Sequence, residues 1–97
     1  MNKETLKAEL RNEVLDPFGF MEDDQWSDVW YKEIEKSMIK YYVAILPDEK
    51  KAESYHIGFY KTSLFGNYTD ANLIIKTSTP AYVAGYVFRA ITESSNL

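Results

Sequence analysis

The sequence predicts an α+β domain with helices packed on one face of a three-stranded antiparallel sheet. Three segments repeat apolar residues at the three- and four-residue spacing of a helix, and the segments between them alternate with the two-residue period of a strand. The chain has 97 residues, of which 45% are hydrophobic and 27% charged, as expected for one globular domain with one core. We therefore predict a single domain over residues 1–97 with the element order α-α-β-β-β-α.

The first helix is predicted over residues 3–15. An apolar stripe recurs there at every fourth residue: Leu6, Leu10 and Val14. Asn2 is the predicted N-cap, because its side chain is suited to accept a hydrogen bond from the first turn. Pro17 disfavours helical backbone at Asp16, so we expect the helix to stop before a turn at Gly19.

The second helix is predicted over residues 24–38. Its apolar positions are spaced so that they form one wide helical face: Trp26, Val29, Trp30, Ile34 and Met38. Asp23 or Asp24 would cap its N-terminus, where acidic side chains also complement the helix dipole.

Residues 39–46 are compatible with two structures, because their apolar positions extend the second helix and also alternate as in a strand. Their enrichment in aromatic and β-branched residues favours a strand, which Pro47 would end. Residues 54–62 alternate in the same way and are predicted to pair with the first strand as an antiparallel hairpin. A turn through Gly66 then leads to a third strand at residues 71–78.

The last helix is predicted to begin at Pro80 with Thr79 as its N-cap, because proline favours the first helical position. Projection at about 3.6 residues per turn gives one buried face: Val83, Ala84, Val87, Phe88, Ala90 and Ile91. Tyr82 projects away from that face, and Tyr86 lies on its border. We therefore expect Tyr82 to be exposed and Tyr86 to be half exposed.

The α-β-β-β-α portion is similar in element order to double-stranded-RNA-binding domains. Those domains carry a lysine cluster at the start of the last helix, where it contacts phosphates. The corresponding stretch here, residues 78–81, contains no basic residue. We therefore predict no direct binding to nucleic acid and do not assign the chain to that family.

The net charge of −4 is unevenly distributed along the chain. Residues 13–35 carry one base, Lys32, and eight acids: Glu13, Asp16, Glu22, Asp23, Asp24, Asp28, Glu33 and Glu35. Residues 62–97 carry two acids and two bases, so their charges cancel. An acidic N-terminal half predicts a surface that attracts basic partners and repels phosphates.

The chain has no cysteine, which excludes disulfides, thiolate catalysis and cysteine-based zinc sites. The N-terminus lacks the long apolar run of a secretory signal, and no apolar stretch is long enough to span a membrane. We therefore expect a cytoplasmic protein that does not contact membranes.

Two features are candidate signs of catalysis or metal binding. His56, the single histidine, is interpreted as a sheet-surface residue, because no nucleophile motif accompanies it. The acidic run at residues 22–24, with Asp28, lacks the spacing of a calcium loop and is interpreted as a solvated helix start. We predict no catalytic residue, no metal site and no cofactor, and hence no enzyme.

The chain has eight tyrosines, and a small core cannot bury them all because alternation along a strand sends side chains to both faces of the sheet. Tyrosine is also enriched at protein interfaces. We predict that two surfaces bind another protein. They are formed by Tyr42, His56 and Tyr60 on the sheet face and by Tyr82, Tyr86 and Arg89 on the edge of the last helix. Nearby acids are predicted to steer a basic partner: Glu22, Asp23, Asp24 and Asp28.

These features predict a small acidic protein-interaction module without enzymatic activity. An inhibitor or adaptor from a phage or mobile element fits this description, with a basic partner such as a nucleic-acid-binding enzyme. An alternative is a homodimeric structural or accessory protein whose nearly uncharged 62–97 segment forms the contact. A third interpretation is a small metal-dependent enzyme.

Overall fold

The computed structural model describes residues 2–95 and confirms an α+β fold with an N-terminal helix, an antiparallel sheet and a C-terminal helix. Helix α1 (Lys3–Leu10) continues through a π-helical turn (Arg11–Leu15) into the short helix α2 (Asp16–Phe18). The strands are β1 (Met21–Glu22), β2 (Val29–Ile34), β3 (Ile39–Pro47), β4 (Tyr55–Ser63) and β5 (Asn72–Thr77). Helix α3 (Pro80–Ser95) follows them.

Each strand of the sheet pairs antiparallel with the next one in the chain, which gives the order β1-β2-β3-β4-β5. The predicted hairpin is the centre of the sheet, because β3 and β4 pair along their whole length, from Ile39 opposite Ser63 to Pro47 opposite Tyr55. Strands β1 and β5 therefore form the two edges. All connections link sequence neighbours, so the sheet needs no crossover.

Helices α1 and α3 pack on the same face of the sheet and bury one continuous core. Alternation along β3 explains which side chains take part, because Tyr41, Val43 and Ile45 turn towards the helices while Tyr42 and Ala44 turn away. The helices supply the facing residues: Leu6, Leu10, Val14, Leu15, Val83 and Val87. The opposite face of the sheet is not covered by a helix of the described chain.

The N-terminal helix begins as predicted and ends later than predicted. The Asn2 side chain accepts the Thr5 N–H at 2.8 Å, which confirms the N-cap. Asp16 keeps helical backbone although Pro17 follows it, and its N–H donates to the Arg11 carbonyl across the π-helical turn. Gly19, with a φ of +70°, ends the helix in the left-handed conformation that glycine adopts most easily.

The predicted helix over residues 24–38 is wrong, because its second half forms strand β2 and a 3-10 turn, Glu35–Ser37. β2 pairs with β3 from Val29 opposite Ala44 to Ile34 opposite Ile39, and this non-local pairing outweighs the helical spacing. The sheet therefore has five strands instead of three. Residues 39–46 form a strand, the structure that their composition favours.

Helix α3 exposes Tyr82 and partly exposes Tyr86, as its periodicity predicts, but Phe88 does not lie in the buried face. Phe88 is 62% exposed, because it sits at the far border of a face centred on Val83 and Val87, where no other element covers it. Ser94 is buried instead. Within residues 2–95, no helix has both the length and the apolar character needed to cross a membrane.

Candidate protein-interaction surface

The sheet face turned away from the helices carries an aromatic cluster, here called the open-face cluster: Trp26, Tyr31, Tyr42, Tyr60 and Tyr68. Tyr68 is its centre and makes edge-to-face contacts with three of the other rings. Its centroid lies 5.8 Å from those of Trp26 and Tyr42 and 5.4 Å from that of Tyr60. Edge-to-face pairs stabilise a fold beyond simple burial, so these rings act mainly on one another.

Tyr68 reaches the cluster from the loop between β4 and β5, residues 64–71. The Asn67 side chain accepts the Thr69 N–H at 3.0 Å, and the Asp70 carboxylate accepts the Asn67 N–H at 3.0 Å. This reciprocal capping closes a 3-10 turn, Tyr68–Asp70. The loop therefore holds the Tyr68 ring over the sheet.

Two of the three sheet residues predicted to bind a partner are engaged inside the protein. Tyr42 is only 2% exposed, so the prediction that it lies on an accessible face is wrong. The Tyr60 ring is half buried and lies over Gly58, where a Cβ atom would come within 2.6 Å of it. Strand alternation assigns a side chain to a face but does not show whether a loop covers that face, which explains the error.

Two titratable groups of the open face, Tyr60 and His56, are neutral at pH 7. Burial, with the adjacent Tyr68 phenol, raises the pKa of Tyr60, so the phenol stays protonated at neutral pH. Burial and the Lys76 ammonium lower the pKa of His56 against the attraction of two nearby acids, so the imidazole is uncharged. In residues 2–95, no group of three or more acidic or histidine side chains is placed to hold a metal ion.

Helix α3 presents three large rings to solvent, here called the α3 ring face: Tyr82 and Tyr86, one turn apart, and Phe88, which projects about 120° around the helix axis from Tyr82. Tyr82 is 65% exposed and Tyr86 40% exposed. Residues 80–95 carry only two charged side chains, Arg89 and Glu93. Arg89 is exposed and forms no ion pair with any residue in the described part of the chain. Exposed aromatic rings are enriched at protein interaction surfaces.

A groove of about 440 Å³ lies beside the α3 ring face, and Ile74 of β5 and Tyr86 line it. Tyr41 and Ser94 also line it, and their hydroxyls share a buried hydrogen bond of 2.5 Å. The Tyr41 hydroxyl also donates to the Ala90 carbonyl at 3.3 Å. These bonds fix the C-terminal half of α3 to the sheet, so the ring face is presented on a rigid element.

The acids predicted to steer a partner differ in their surroundings. Glu22 and Asp24 are exposed, and their side chains bond to no other group among residues 2–95. One Asp23 carboxylate oxygen accepts the N–H groups of Gln25 and Trp26 at 2.8 and 3.0 Å, which shapes the turn before β2. Of these three acids, Glu22 and Asp24 are therefore the free charges.

Asp28 is a structural residue. Its carboxylate pairs with the ammonium groups of Lys3 at 2.5 Å and Lys7 at 3.4 Å, and its carbonyl accepts the Ile45 N–H at 2.9 Å. Partial burial opposes ionisation, but the two lysines outweigh it and hold the pKa of Asp28 below its ordinary value. Asp28 ties α1 to the sheet, which corrects its prediction as a free steering charge.

We expect Asp28→Asn to lower the free energy of unfolding by about 1 kcal/mol at pH 7. Asparagine tolerates the left-handed φ of 57° at this position, so the substitution removes charge with little backbone strain. Because the folded-state pKa is lowered, the contribution of the carboxylate is complete above the unfolded-state pKa of about 3.9 and disappears as pH falls through the folded value.

Urea unfolding of wild type and Asp28→Asn at pH 7 and across the acid range measures this difference. Asp24→Asn is the matched control, since it removes an exposed carboxylate and is expected to change stability by less than about 0.5 kcal/mol. A difference between wild type and Asp28→Asn that persisted unchanged below both pKa values would contradict the ion-pair explanation.

Acidic side chains of α1 and its π-helical turn lie next to the start of α3. Glu9 and Glu13 line one depression together with Pro80 and Ala81, and both glutamates are exposed. Neither glutamate forms an ion pair with a residue of the described chain. The uncharged N-terminal half of α3 is therefore bordered by negative charge.

The structure brings the predicted helix residues Tyr82, Tyr86 and Arg89 together on α3 but separates them from the sheet residues. His56 and Tyr60 lie on the opposite side of the sheet from α3. Sequence reasoning missed Phe88 and Glu9. The only available signal for Phe88 was its border position in the helical projection. For Glu9, the available signal was its position on the polar face of the first predicted helix.

Comparison with known proteins gave no relative for this chain. No family model matches it, and neither a curated protein nor a solved structure was found to be similar.

Proposed function

We propose that the protein is a non-enzymatic interaction module that binds a basic partner protein through the α3 ring face. The observation that carries the proposal is the exposure of Tyr82, Tyr86 and Phe88 on one helix held rigidly to the sheet. Tyrosine and phenylalanine lose little rotamer entropy on binding and bury a large area, so they are effective contact residues.

Rigid presentation favours binding because the contact residues need little reorganisation. The bonds from Tyr41 to Ser94 and to the Ala90 carbonyl fix the C-terminal half of α3, and Val83 and Val87 anchor the N-terminal half in the core. A preorganised helix face loses less conformational entropy on association than a mobile loop. The proposed interface therefore uses exposed rings on a helix that is firmly attached to the core.

Charge supports a basic partner. Glu9 and Glu13 lie beside the start of α3, Glu22 and Asp24 add free charge elsewhere, and the whole chain has a net charge of −4. Such a field accelerates association with a positively charged protein and weakens as salt increases. Nucleic-acid-binding enzymes have basic surfaces of this kind, so an inhibitor or adaptor of such an enzyme is the proposed role.

The test is a comparative capture experiment with the tagged protein and an extract of its source organism, analysed by quantitative mass spectrometry. The ring-face variant is Tyr82→Ser/Phe88→Ser. The matched control is Phe65→Ser, which removes a ring that is 84% exposed on the β4–β5 loop, away from α3. We expect a basic protein to be retained by wild type and by the control and to fall at least about tenfold with the ring-face variant.

The charge component is tested with the purified partner from that experiment. Glu9→Gln/Glu13→Gln is expected to slow association by about two- to tenfold at low salt and to reduce the salt dependence, with a smaller change in dissociation rate. Surface plasmon resonance at several salt concentrations measures both rates. A specific partner retained equally by wild type and the ring-face variant would rule out this surface.

A further inference from the structure

The groove beside the C-terminal half of α3 has the dimensions of a small-molecule site. Its volume of about 440 Å³ lies within the range of about 300–1,000 Å³ that is typical of such sites. Helix α3 forms one side of the groove, and strands β3, β4 and β5 form the other. The hydrogen bond between the Tyr41 and Ser94 hydroxyls joins the two sides. The groove is therefore preformed and needs little reorganisation when a ligand enters it.

Much of the groove wall is apolar. Ile39 and Ala90 are half-buried in it, while Ile74 and Tyr86 are exposed. These side chains keep apolar surface in contact with water, and a ligand with an apolar body would cover that surface. Removal of apolar surface from water favours binding.

Lys61 is a charged residue on a face of β4 that is otherwise buried. It stands opposite Tyr41 in the antiparallel ladder, so both side chains point to the helix side of the sheet. The two preceding residues of β4 on that side, Ile57 and Phe59, are fully buried in the core. Lys61 itself is exposed and lines the groove. The core therefore ends at Lys61, and the groove begins there.

The groove is positively charged on a negatively charged protein. Its charged lining residues are two bases, Lys61 and Arg89, and one acid, Glu93, which gives a net charge of +1. The whole chain has a net charge of −4. Among residues 2–95, none of these three side chains forms an ion pair with another residue. Both bases are therefore available to an anion, and the local field attracts one.

The end of α3 beside the groove carries the negative end of the helix dipole, which opposes anion binding. Two hydrogen bonds offset this effect. The Lys36 ammonium donates to the Ser95 carbonyl at 3.2 Å, and the Tyr41 hydroxyl donates to the Ala90 carbonyl at 3.3 Å. The remaining opposing charge is the Glu93 carboxylate, which is outnumbered by the two bases.

We propose that this groove binds a small organic anion with an apolar body and one carboxylate group. The body covers Ile39, Ile74 and Tyr86, and the carboxylate accepts charge-assisted hydrogen bonds from Lys61 and Arg89. For a ligand of about 14 non-hydrogen atoms, we expect a dissociation constant on the order of 100 µM.

This site does not depend on the proposed function, because ligand binding is measured on the isolated protein. Tyr86 belongs both to the groove and to the α3 ring face, so a bound ligand would compete with a partner protein for it. Tyr82 and Phe88 do not line the groove, so Tyr82→Ser/Phe88→Ser is expected to leave ligand affinity unchanged. Failure of the groove site and failure of the ring face are therefore separate results.

NMR titration of the isotope-labelled full chain with naphthalene-1-acetate tests the proposal, because amide shifts report both affinity and location. Naphthalene-1-acetamide is the matched neutral probe, since it has the same body and an amide in place of the carboxylate. We expect the largest shifts at the groove residues and at least about fivefold weaker binding of the amide. Absence of binding at about 5 mM, equal affinity for the two probes, or shifts centred elsewhere in the protein overturns the proposal.

Substitution of the charged residues tests their roles in the groove. Lys61→Met/Arg89→Met is expected to weaken binding of naphthalene-1-acetate at least about tenfold, because it removes both cations. The control Lys50→Met/Lys51→Met makes the same charge change in the exposed β3–β4 loop, and we expect less than a change of about twofold.

Glu93→Gln removes the opposing carboxylate and is expected to tighten binding about two- to threefold. A purely structural role of Glu93 would not produce this increase. Wild-type affinity in Lys61→Met/Arg89→Met, or weaker binding in Glu93→Gln, contradicts the proposal. Amide spectra of the variants that stay as dispersed as that of wild type show that the fold is retained.

Discussion

Tyr41→Ala is expected to lower the free energy of unfolding by about 3–5 kcal/mol, the largest effect expected of any single substitution considered for this protein. Tyr41 is buried in the core, and its ring stacks on Phe59 at a centroid distance of 5.4 Å. Its hydroxyl bonds Ser94 and the Ala90 carbonyl. The substitution therefore removes core volume and leaves the buried Ser94 hydroxyl without this partner.

Urea unfolding followed by circular dichroism measures the loss, and Tyr41→Phe separates its two causes. The phenylalanine variant keeps the stacked ring and removes only the hydroxyl, so we expect it to cost about 1–2 kcal/mol. In a double-mutant cycle with Ser94→Ala, the coupling between the two hydroxyls is expected to be about 1 kcal/mol. Equal losses for Tyr41→Ala and Tyr41→Phe would show that the ring does not pack as described.

Tyr68→Ala is expected to lower the free energy of unfolding by about 2–4 kcal/mol, although Tyr68 lies on a loop. Its ring contacts Trp26, Tyr42 and Tyr60, and all three edge-to-face contacts are lost in the variant. The β4–β5 loop would also lose its anchor on the sheet, so we expect faster hydrogen exchange at residues 64–71.

Tyr82→Ala is the matched control for Tyr68→Ala. Tyr82 is 65% exposed, and alanine has the higher helix propensity, so we expect a change of less than about 0.5 kcal/mol in either direction. The same substitution of the same residue type thus separates a tyrosine that stabilises the fold from one available for contact. Similar losses for the two variants would contradict this division.

Local signals predicted most of the fold correctly. The N-cap at Asn2, the strand over residues 39–46, the hairpin and the start of α3 at Pro80 each depend on nearby sequence. The second helix failed because Val29, Trp30 and Ile34 satisfy helical spacing and strand pairing equally well, and the partner strand decides between them. The periodicity of one segment carries no information about which distant strand it pairs with.

The candidate surface was predicted only in part. Helical projection correctly placed Tyr82 and Tyr86 outward, because α3 has one well-defined buried face. Strand alternation correctly predicted that Tyr42 points away from the helices. It did not predict that Tyr68 covers Tyr42, because the loop that carries Tyr68 has no periodic sequence pattern. Asp28 looked like one more free acid, and only the folded chain brings Lys3 and Lys7 to it.

Site-specific photo-crosslinking in cells of the source organism tests the central claim most directly. A photoreactive phenylalanine analogue is placed at position 82 or 88 on the α3 ring face, and at position 31 or 65 as a control. We predict one shared crosslinked protein from positions 82 and 88 and none from the controls. Crosslinking of a partner from position 31 but from neither α3 position would contradict the account and would place the contact on the open sheet face.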